Sequence, residues 1–301
     1  MMEFQEKFFE GEEREGFFVE GMMKRAWAAQ MKVLEEIDRV CKKYQLTYFA
    51  DCGTLLGAVR HRGFIPWDDD MDICMKPADY KRFLEVAPKE LPESFRVLSL
   101  YTRDDYDEIF ARVVNSNKVN NTPEWLNEWY GCPFAVGIDI FPLNYLPTDE
   151  EEVLIQKKLY VIVKSAKAVC DKKHEKAEEL LKSVEDLCGV TLNREGNLKR
   201  QLAQLMEGIR TMYDEEMSGD LTKLDTYTRV STFRVPKESY DEAIRMPFEG
   251  MDISVPIGWE TVLRAQYGEN YMTPVRGVQK HDYPFYKKQL KAVQAKMKNQ
   301  Q

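Results

Sequence analysis

The sequence has 301 residues, of which 44% are hydrophobic and 31% charged, and its formal net charge is −8 at pH 7. This composition is typical of a folded globular protein and excludes a mainly disordered chain. A net acidic chain also gains little from the counterion release that drives non-specific nucleic-acid binding, so we exclude DNA and RNA as partners.

The N-terminal segment and the cysteines favour a cytoplasmic protein. The segment MMEFQEKFFEGEEREG is acidic and lacks the basic start and apolar core of a secretion signal, and no run of about 18 apolar residues occurs. The six cysteines are scattered without a CxxC pair, which is typical of reduced, buried thiols. The three histidines, His61, His174 and His281, are too far apart for a recognised zinc spacing, so a metal site, if present, must use oxygen ligands.

The first half of the chain alternates between helix and strand patterns. From Met23 to Tyr44, apolar residues recur every three or four positions, the period of one helix face. The segment 46–50 (LTYFA) predicts a strand that runs into a turn at Gly53, and alternation over 71–75 predicts another strand. Further patterns predict a helix over 78–86 and strands over 95–100, 109–114 and 136–141.

The second half has a different character. From about Asp149, segments rich in Leu, Lys and Glu predict helices through Met217. We therefore divide the chain into an N-terminal extension, a core, a helical subdomain and a C-terminal section with a basic tail, at 1–20, 21–148, 149–225 and 226–301. A short helix over 259–267 is predicted within the last section.

An acidic run carries the strongest chemical signal. Asp70 and Asp72 are separated by one residue on a predicted strand, so their side chains share a face. Two ionised carboxylates about 4 Å apart repel by about 4 kcal/mol at an effective dielectric constant of about 20. A divalent cation relieves this repulsion, and Mg²⁺, with Mn²⁺ as the alternative, suits an all-oxygen site facing phosphate. Asp139, between two isoleucines on a separate predicted strand, is the third candidate ligand.

Two other interpretations of the acidic run are open. It can be a solvated loop, although Trp67 and Ile73 on its flanks favour a place near the core. A calcium EF-hand loop is disfavoured because the required Gly and Glu are missing at the matching positions. We assign Asp68 as an outer metal ligand, whereas Asp69, on the other face of the strand, is the weakest candidate.

Groups that can bind phosphate flank the acids. Gly53 and Thr54 allow a close approach of backbone N–H groups and a hydroxyl to an anion near a helix start, although a plain turn explains them equally well. Arg60 is the best candidate for a charge clamp on a diphosphate. Arg112, on the strand-like IFARVV, is a further candidate for the donor phosphate, with an ordinary exposed strand arginine as the alternative.

Together these motifs resemble the nucleotidyltransferase fold: Gly53-Thr54, a hydrophobic-flanked Asp70-x-Asp72 pair and a third acid at Asp139. More closely, GTLLGAVRHRGFIPWDDDMDI resembles the LicD family, which is related to fukutin and fukutin-related protein. GIDIFPLNYLP, MPFEGMDISVP and WETVLRAQYGENYMTP extend the likeness over about residues 20–285. The resemblance implies an α+β fold, with a nucleotidyltransferase-like mixed β-sheet flanked by helices and a helical insertion.

The resemblance also implies a reaction. The donor would be a CDP-linked alcohol such as CDP-choline, and the acceptor a hydroxyl on a cell-surface glycan or its lipid-linked precursor, with CMP released. By this resemblance Asp70, Asp72 and Asp139 would be catalytic. One rival is a nucleotidyltransferase that releases pyrophosphate from an NTP, and another is a catalytically silent glycan- or nucleotide-binding module.

The C-terminal tail, from Lys287 on, combines lysines with an apolar stripe at helical spacing. Such a helix can rest on an anionic membrane, or it can dock on its own protein. Docking on its own protein is the commoner case, so we expect a cytoplasmic enzyme, with contact at the inner face of the membrane through this tail as the alternative.

Overall fold

The computed structural model describes residues 4–172, 175–275 and 287–291. Its strands are β1 (Glu12–Arg14), β2 (Phe17–Val19), β3 (Phe49–Ala50), β4 (Asp72–Met75), β5 (Arg96–Leu98), β6 (Ala111–Val114), β7 (Gly137–Pro142), β8 (Asn144–Pro147), β9 (Ser218–Thr222), β10 (Val235–Pro236), β11 (Ala243–Phe248) and β12 (Met251–Pro256). Its helices are α1 (Gly21–Tyr44), α2 (Cys52–His61), α3 (Pro77–Glu90), α4 (Pro123–Glu128), α5 (Glu150–Val169), α6 (Glu175–Cys188), α7 (Leu198–Arg210), α8 (Leu224–Tyr227) and α9 (Trp259–Tyr267).

A mixed five-stranded sheet forms the centre of the fold. Its strand order is β3-β4-β7-β6-β5, and only the β4–β7 pair is parallel. A three-stranded sheet, β10-β9-β8, and the hairpins β1–β2 and β11–β12 complete the strands of the described ranges. The predicted α+β class with a mixed sheet flanked by helices is confirmed.

Helix α1 anchors the main core. The predicted apolar period buries Trp27, Met31, Leu34 and Ile37 completely, and the helix packs against β7 and α3. It ends where Gln45 adopts a left-handed φ of 56° and its N–H returns to the carbonyls of Cys41 and Lys42. Helix α1 thus covers one face of the central sheet. Because side chains alternate between the two faces of a strand, the polar side chains of these strands lie on the other face.

The helices α5, α6 and α7 have a second, smaller core. Val163, Leu181 and Met206 belong to it, and Leu146 of β8 joins it from the strand side. Within the segment assigned as a helical subdomain, β9 is a strand that pairs with β8, whereas Leu224 and Tyr227 of α8 pack in the smaller core. The helix prediction through Met217 was wrong only for the residues after α7, which ends at Arg210.

Several local details differ from the sequence predictions. The strand predicted over 71–75 begins at Asp72, so Asp70 lies in the preceding loop. The N-terminal extension contains the β1–β2 hairpin, which Arg14 ties to the rest of the fold through an ion pair with Glu249. All six cysteines are free thiols, as predicted, but the predicted burial holds for Cys41, Cys74 and Cys132, while the other three are partly exposed.

None of the helices in the described ranges combines the length and apolar character needed to cross a membrane. Of the predicted basic tail, residues 287–291 are described and are helical. Gln289 donates to the carbonyl of Ala135 (2.8 Å) and accepts from its N–H (3.0 Å), so this part docks on its own protein. The rest of the tail, with Lys296 and Lys298, lies outside the described residues.

Candidate active site

Two carboxylates from separate strands lie side by side on the central sheet. Asp72 is the first residue of β4, and Asp139 is the third residue of β7. The two strands are parallel neighbours, and these two residues are direct register partners. Since neighbouring strands are about 4.8 Å apart and register partners share a face, the two carboxylates form an acid pair. The sheet therefore brings together two acids that are far apart in the sequence.

Arg112 extends this row to a third strand. It is the register partner of Asp139 on β6. Its guanidinium donates to both oxygens of Asp139: from Nη2 to Oδ2 at 2.7 Å, and from Nε to Oδ1. This carboxylate raises the pKa of Arg112, although burial acts in the opposite direction. A cation that takes Asp139 as a ligand must therefore share that carboxylate with Arg112 or displace it.

The loop before β4 adds three more carboxylates, at Asp68, Asp69 and Asp70, which we call the acid loop. Each offers an oxygen within 4.8 Å of the others. Side chains of α1 fix the loop, because Trp27 donates to the Asp68 carbonyl (3.0 Å) and Gln30 to the Asp69 carbonyl (2.8 Å). This backbone anchoring contradicts the reading as a solvated loop. It also places Asp69, the weakest sequence candidate, inside the cluster.

Among the described residues, the acid loop is the group of three acids whose ligand oxygens all lie within 4.8 Å of one another. The predicted set of Asp68, Asp70, Asp72 and Asp139 does not meet it as a whole. The metal ligands inferred from the sequence therefore stay a prediction, and the acid loop and the acid pair are two adjoining halves of one acidic region.

Burial and neighbouring charges raise the pKa of three of these carboxyl groups. Burial raises the pKa of Asp72 well above its ordinary value, and the charges of Asp70 and Asp139 add to the effect. Burial also raises the pKa of Asp68, with a further contribution from Asp70, and burial and Asp139 raise that of Asp70. Such a cluster holds extra protons or a cation. An all-oxygen donor set with several carboxylates fits Mg²⁺ or Mn²⁺ rather than a soft metal.

Two residues at the start of helix α2 contact the acids. Its Thr54 hydroxyl accepts the N–H of Asp72 (2.8 Å) and is buried, so Thr54 positions the start of β4. Gly53 lies against Asp68: a Cβ at position 53 would overlap Asp68 Oδ2. The predicted contacts of both residues with phosphate stay predictions, since the contacts seen here are with the acids.

Gly53→Ala is expected to displace the Asp68 carboxylate and to weaken divalent-metal binding about tenfold, because a positioned ligand is lost. Titration of the protein with Mn²⁺ by calorimetry measures this. Gly208→Ala is the matched control, since nothing lies within 4 Å of a Cβ at that exposed position of α7. A Gly53→Ala protein with unchanged Mn²⁺ affinity would remove Asp68 from the metal site.

Arg60 lies at the end of α2 and lines a cavity on the acidic region. Its Nη1 donates to the Tyr271 carbonyl (2.9 Å), and within the described ranges it forms no ion pair. Burial lowers its pKa. A half-buried guanidinium without an acidic partner gains from an anion, so the structure is compatible with the predicted charge clamp.

Two cavities meet at the acids. The first, of about 470 Å³, is lined among others by Asp70, Met71, Arg96, Arg112 and Asp139. The second, of about 400 Å³, is lined among others by Gly53, Arg60, Asp68, Asp70 and Asp72. Since Asp70 borders both, a ligand in either cavity reaches the acidic region.

A buried ion pair beside the acids was not predicted from the sequence. Asp51 is fully buried, accepts the N–H of Cys52 (2.8 Å) as the cap of α2, and pairs with Lys223. Burial alone would lower the pKa of Lys223, but Asp51 outweighs it and the pKa is raised. The position of Asp51 directly before a helix start is typical of an N-cap, so its capping role was predictable from the sequence. Nothing in the sequence near Lys223 marks it as the partner.

The segment that contains the site is similar to a known protein family. Residues 45–152 match the family model described as LicD/FKTN/FKRP, nucleotidyltransferase domain. This segment contains every site residue predicted from the sequence, and it confirms the resemblance to the LicD family.

Similarity to a LicD protein extends beyond that domain. The chain is 25% identical over 251 residues to the lipopolysaccharide cholinephosphotransferase LicD of Haemophilus influenzae, covering 83% of this chain and 91% of the relative. Uncharacterised proteins of Rickettsia typhi and Rickettsia prowazekii are 35% and 36% identical over 66 and 58 residues, about a fifth of each chain. The predicted enzyme class, a LicD-like transferase, is confirmed.

Proposed function

We propose that this LicD-like transferase moves a phospho-alcohol group, phosphocholine or a similar one, from a CDP-linked donor to a hydroxyl of a cell-surface glycan or its precursor. CMP is the second product. The observation that carries the proposal is the pairing of Asp72 with Asp139 on adjacent strands beside the acid loop and Arg60. The cholinephosphotransferase name of the Haemophilus relative supports the choice of the transferred group.

In this proposal Asp70, Asp72 and Asp139 hold Mg²⁺ or Mn²⁺, and Asp68 is an outer ligand. The bound cation supplies stabilisation of the negative charge that develops on the leaving CMP. The donor diphosphate lies in the second cavity, where Arg60 clamps its charge. Thr54 fixes Asp72, and Gly53 makes room for Asp68.

The reaction forms a bond between the acceptor oxygen and the phosphorus of the phospho-alcohol, and it breaks the bond from that phosphorus to the oxygen of CMP. The acceptor proton leaves to a base. Asp139 completes the metal site or accepts this proton, and Arg112, which donates to both Asp139 oxygens, positions that carboxylate in either role.

The test is product analysis with a panel of CDP-choline, CDP-ribitol, CDP-glycerol and NTPs in the presence of Mg²⁺. We expect CMP release from one of the CDP-alcohols. Pyrophosphate release from an NTP would identify the rival nucleotidyltransferase reaction. An absence of turnover and of metal-dependent nucleotide binding would identify a silent binding module.

Metal binding is expected to depend on pH. Because the pKa values of Asp68, Asp70 and Asp72 are raised, the folded state holds more protons than the unfolded state above about pH 4. The stability from these groups is fully present below their unfolded pKa and is lost as the pH rises through the folded pKa. Mg²⁺ binds the ionised carboxylates and offsets this loss.

We therefore expect Mg²⁺ to raise the melting temperature more at about pH 7.5 than at about pH 5, with EDTA as the reference at each pH. In Asp72→Asn, the rise in melting temperature that Mg²⁺ causes should differ less between the two pH values. The same Mg²⁺ effect at both pH values would contradict a cation bound by these carboxylates.

We also propose that the enzyme works in the cytoplasm at the inner face of the membrane. This rests on the sequence argument and on the kind of acceptor proposed. Contact of the C-terminal tail with lipid stays a prediction.

A further inference from the structure

A third cavity, of about 560 Å³, lies between the sheet and the helical segment. We call it the basic cavity, because five cationic side chains line it: Lys164, Lys167, Lys199, Lys223 and Arg229. They come from α5, from α7 and from the region around α8. Two acids, Glu108 and Asp225, also line it. In a chain with a net charge of −8, this is a local concentration of positive charge.

The acids nearby neutralise only part of this charge, and Lys223 already pairs with the buried Asp51. Asp225 is shared between Lys164 at 2.6 Å and Arg229 at 3.2 Å. Lys199 pairs with Asp171, and the described residues offer no ion-pair partner to Lys167. Because one carboxylate serves both Lys164 and Arg229 and Lys167 has no ion pair among the described residues, the lining of the cavity keeps an excess of positive charge, which favours a ligand with negative charge.

The basic cavity opens on the face of the sheet that carries the acid pair. Phe141 lines it and lies two residues beyond Asp139 on β7, so the two side chains share a face. Phe110 packs on Phe141, with ring centroids 4.9 Å apart, and provides an apolar wall. Lys223 Nζ lies 3.4 Å from Cys52 Sγ at the start of α2. A ligand in this cavity thus reaches toward the acids from the side of the helical segment.

We propose that the basic cavity is the acceptor subsite and that it binds a phosphate group carried by the acceptor. The inference rests on the proposed function, in which the donor diphosphate occupies the second cavity. The lysines bind the phosphate as point charges, and the Phe110–Phe141 wall packs against the attached sugar or lipid. A phosphate on a sugar and the diphosphate of a lipid carrier share this chemistry.

Calorimetry of the full chain with glucose 6-phosphate, glucose and geranyl diphosphate tests the site and distinguishes the two sources of phosphate. We expect binding of a phosphorylated probe and none of glucose. Lys167→Glu should weaken that binding about tenfold or more, and Lys167→Arg should retain it. Lys158→Glu is the matched control, because Lys158 is exposed on the same helix and does not line the cavity.

Three outcomes would overturn the proposal: equal binding of glucose and glucose 6-phosphate, equal weakening by Lys167→Glu and Lys158→Glu, or displacement of the phosphorylated probe by CDP-choline, which would place the phosphate in the donor site. Mg²⁺-dependent binding of CDP-choline is measured separately. Its absence, with Lys167-dependent phosphate binding retained, would defeat the proposed donor chemistry and still support the anion site.

Discussion

Asp72→Asn is expected to lower turnover about 1000-fold or more and to leave the fold intact. The substitution removes a carboxylate that binds the metal ion, and the bound ion supplies several kcal/mol of charge stabilisation in the transition state. Each 1.4 kcal/mol corresponds to about a factor of ten in rate. The free energy of unfolding should stay the same or increase, because burial and two neighbouring acids disfavour the Asp72 charge. CMP release and denaturant unfolding measure the two effects on the same preparation.

The combination of lost activity and retained stability is the informative result. Asp186→Asn, an exposed change on α6, serves as the control and should alter neither quantity. Full activity of Asp72→Asn would remove this residue from the mechanism. Loss of activity together with loss of stability would assign Asp72 a structural role instead.

Lys223→Met is expected to lower the free energy of unfolding by about 3–5 kcal/mol, because removing one partner of a buried ion pair leaves the other charge uncompensated. That partner is Asp51, which is fully buried and caps α2. Lys158→Met, an exposed change on α5, should alter stability by less than about 0.5 kcal/mol. Urea unfolding compares the two variants.

A second substitution separates the ion pair from simple packing. Asp51→Asn combined with Lys223→Met should recover part of the lost stability, because the buried charge is then gone. If Lys223→Met alone costs under about 1 kcal/mol, the ion pair does not hold the start of α2 to the start of α8. No recovery in the double variant would assign the loss to packing.

The elements with a clear period were predictable from sequence. The apolar stripe of α1 and the helix at Trp259–Tyr267 follow from local periodicity, and the isoleucines around Asp139 fix the outward face of β7. The pairing of Asp72 with Asp139 was a conditional prediction, since it required two strands to be neighbours. The structure supplies that condition through the parallel β4–β7 ladder.

Contacts between distant parts of the chain could not be predicted. Lys223 and Asp51 are 172 residues apart, and no local pattern links them. The basic cavity likewise needs lysines of α5 and α7 to face one space, which depends on how the helices pack. Strand β9 was missed because SGDLT is short and has no alternation, and its pairing with β8 determines its conformation.

The central claim is that a divalent cation binds where the acid pair meets the acid loop. Anomalous diffraction from crystals containing Mn²⁺ and CDP-choline tests it most directly. We predict a manganese peak at ligand distance from the carboxylates of Asp72 and Asp139, with donor phosphate beside it. Manganese bound only by Asp68, Asp69 and Asp70, with Asp139 still held by Arg112, would contradict the claim.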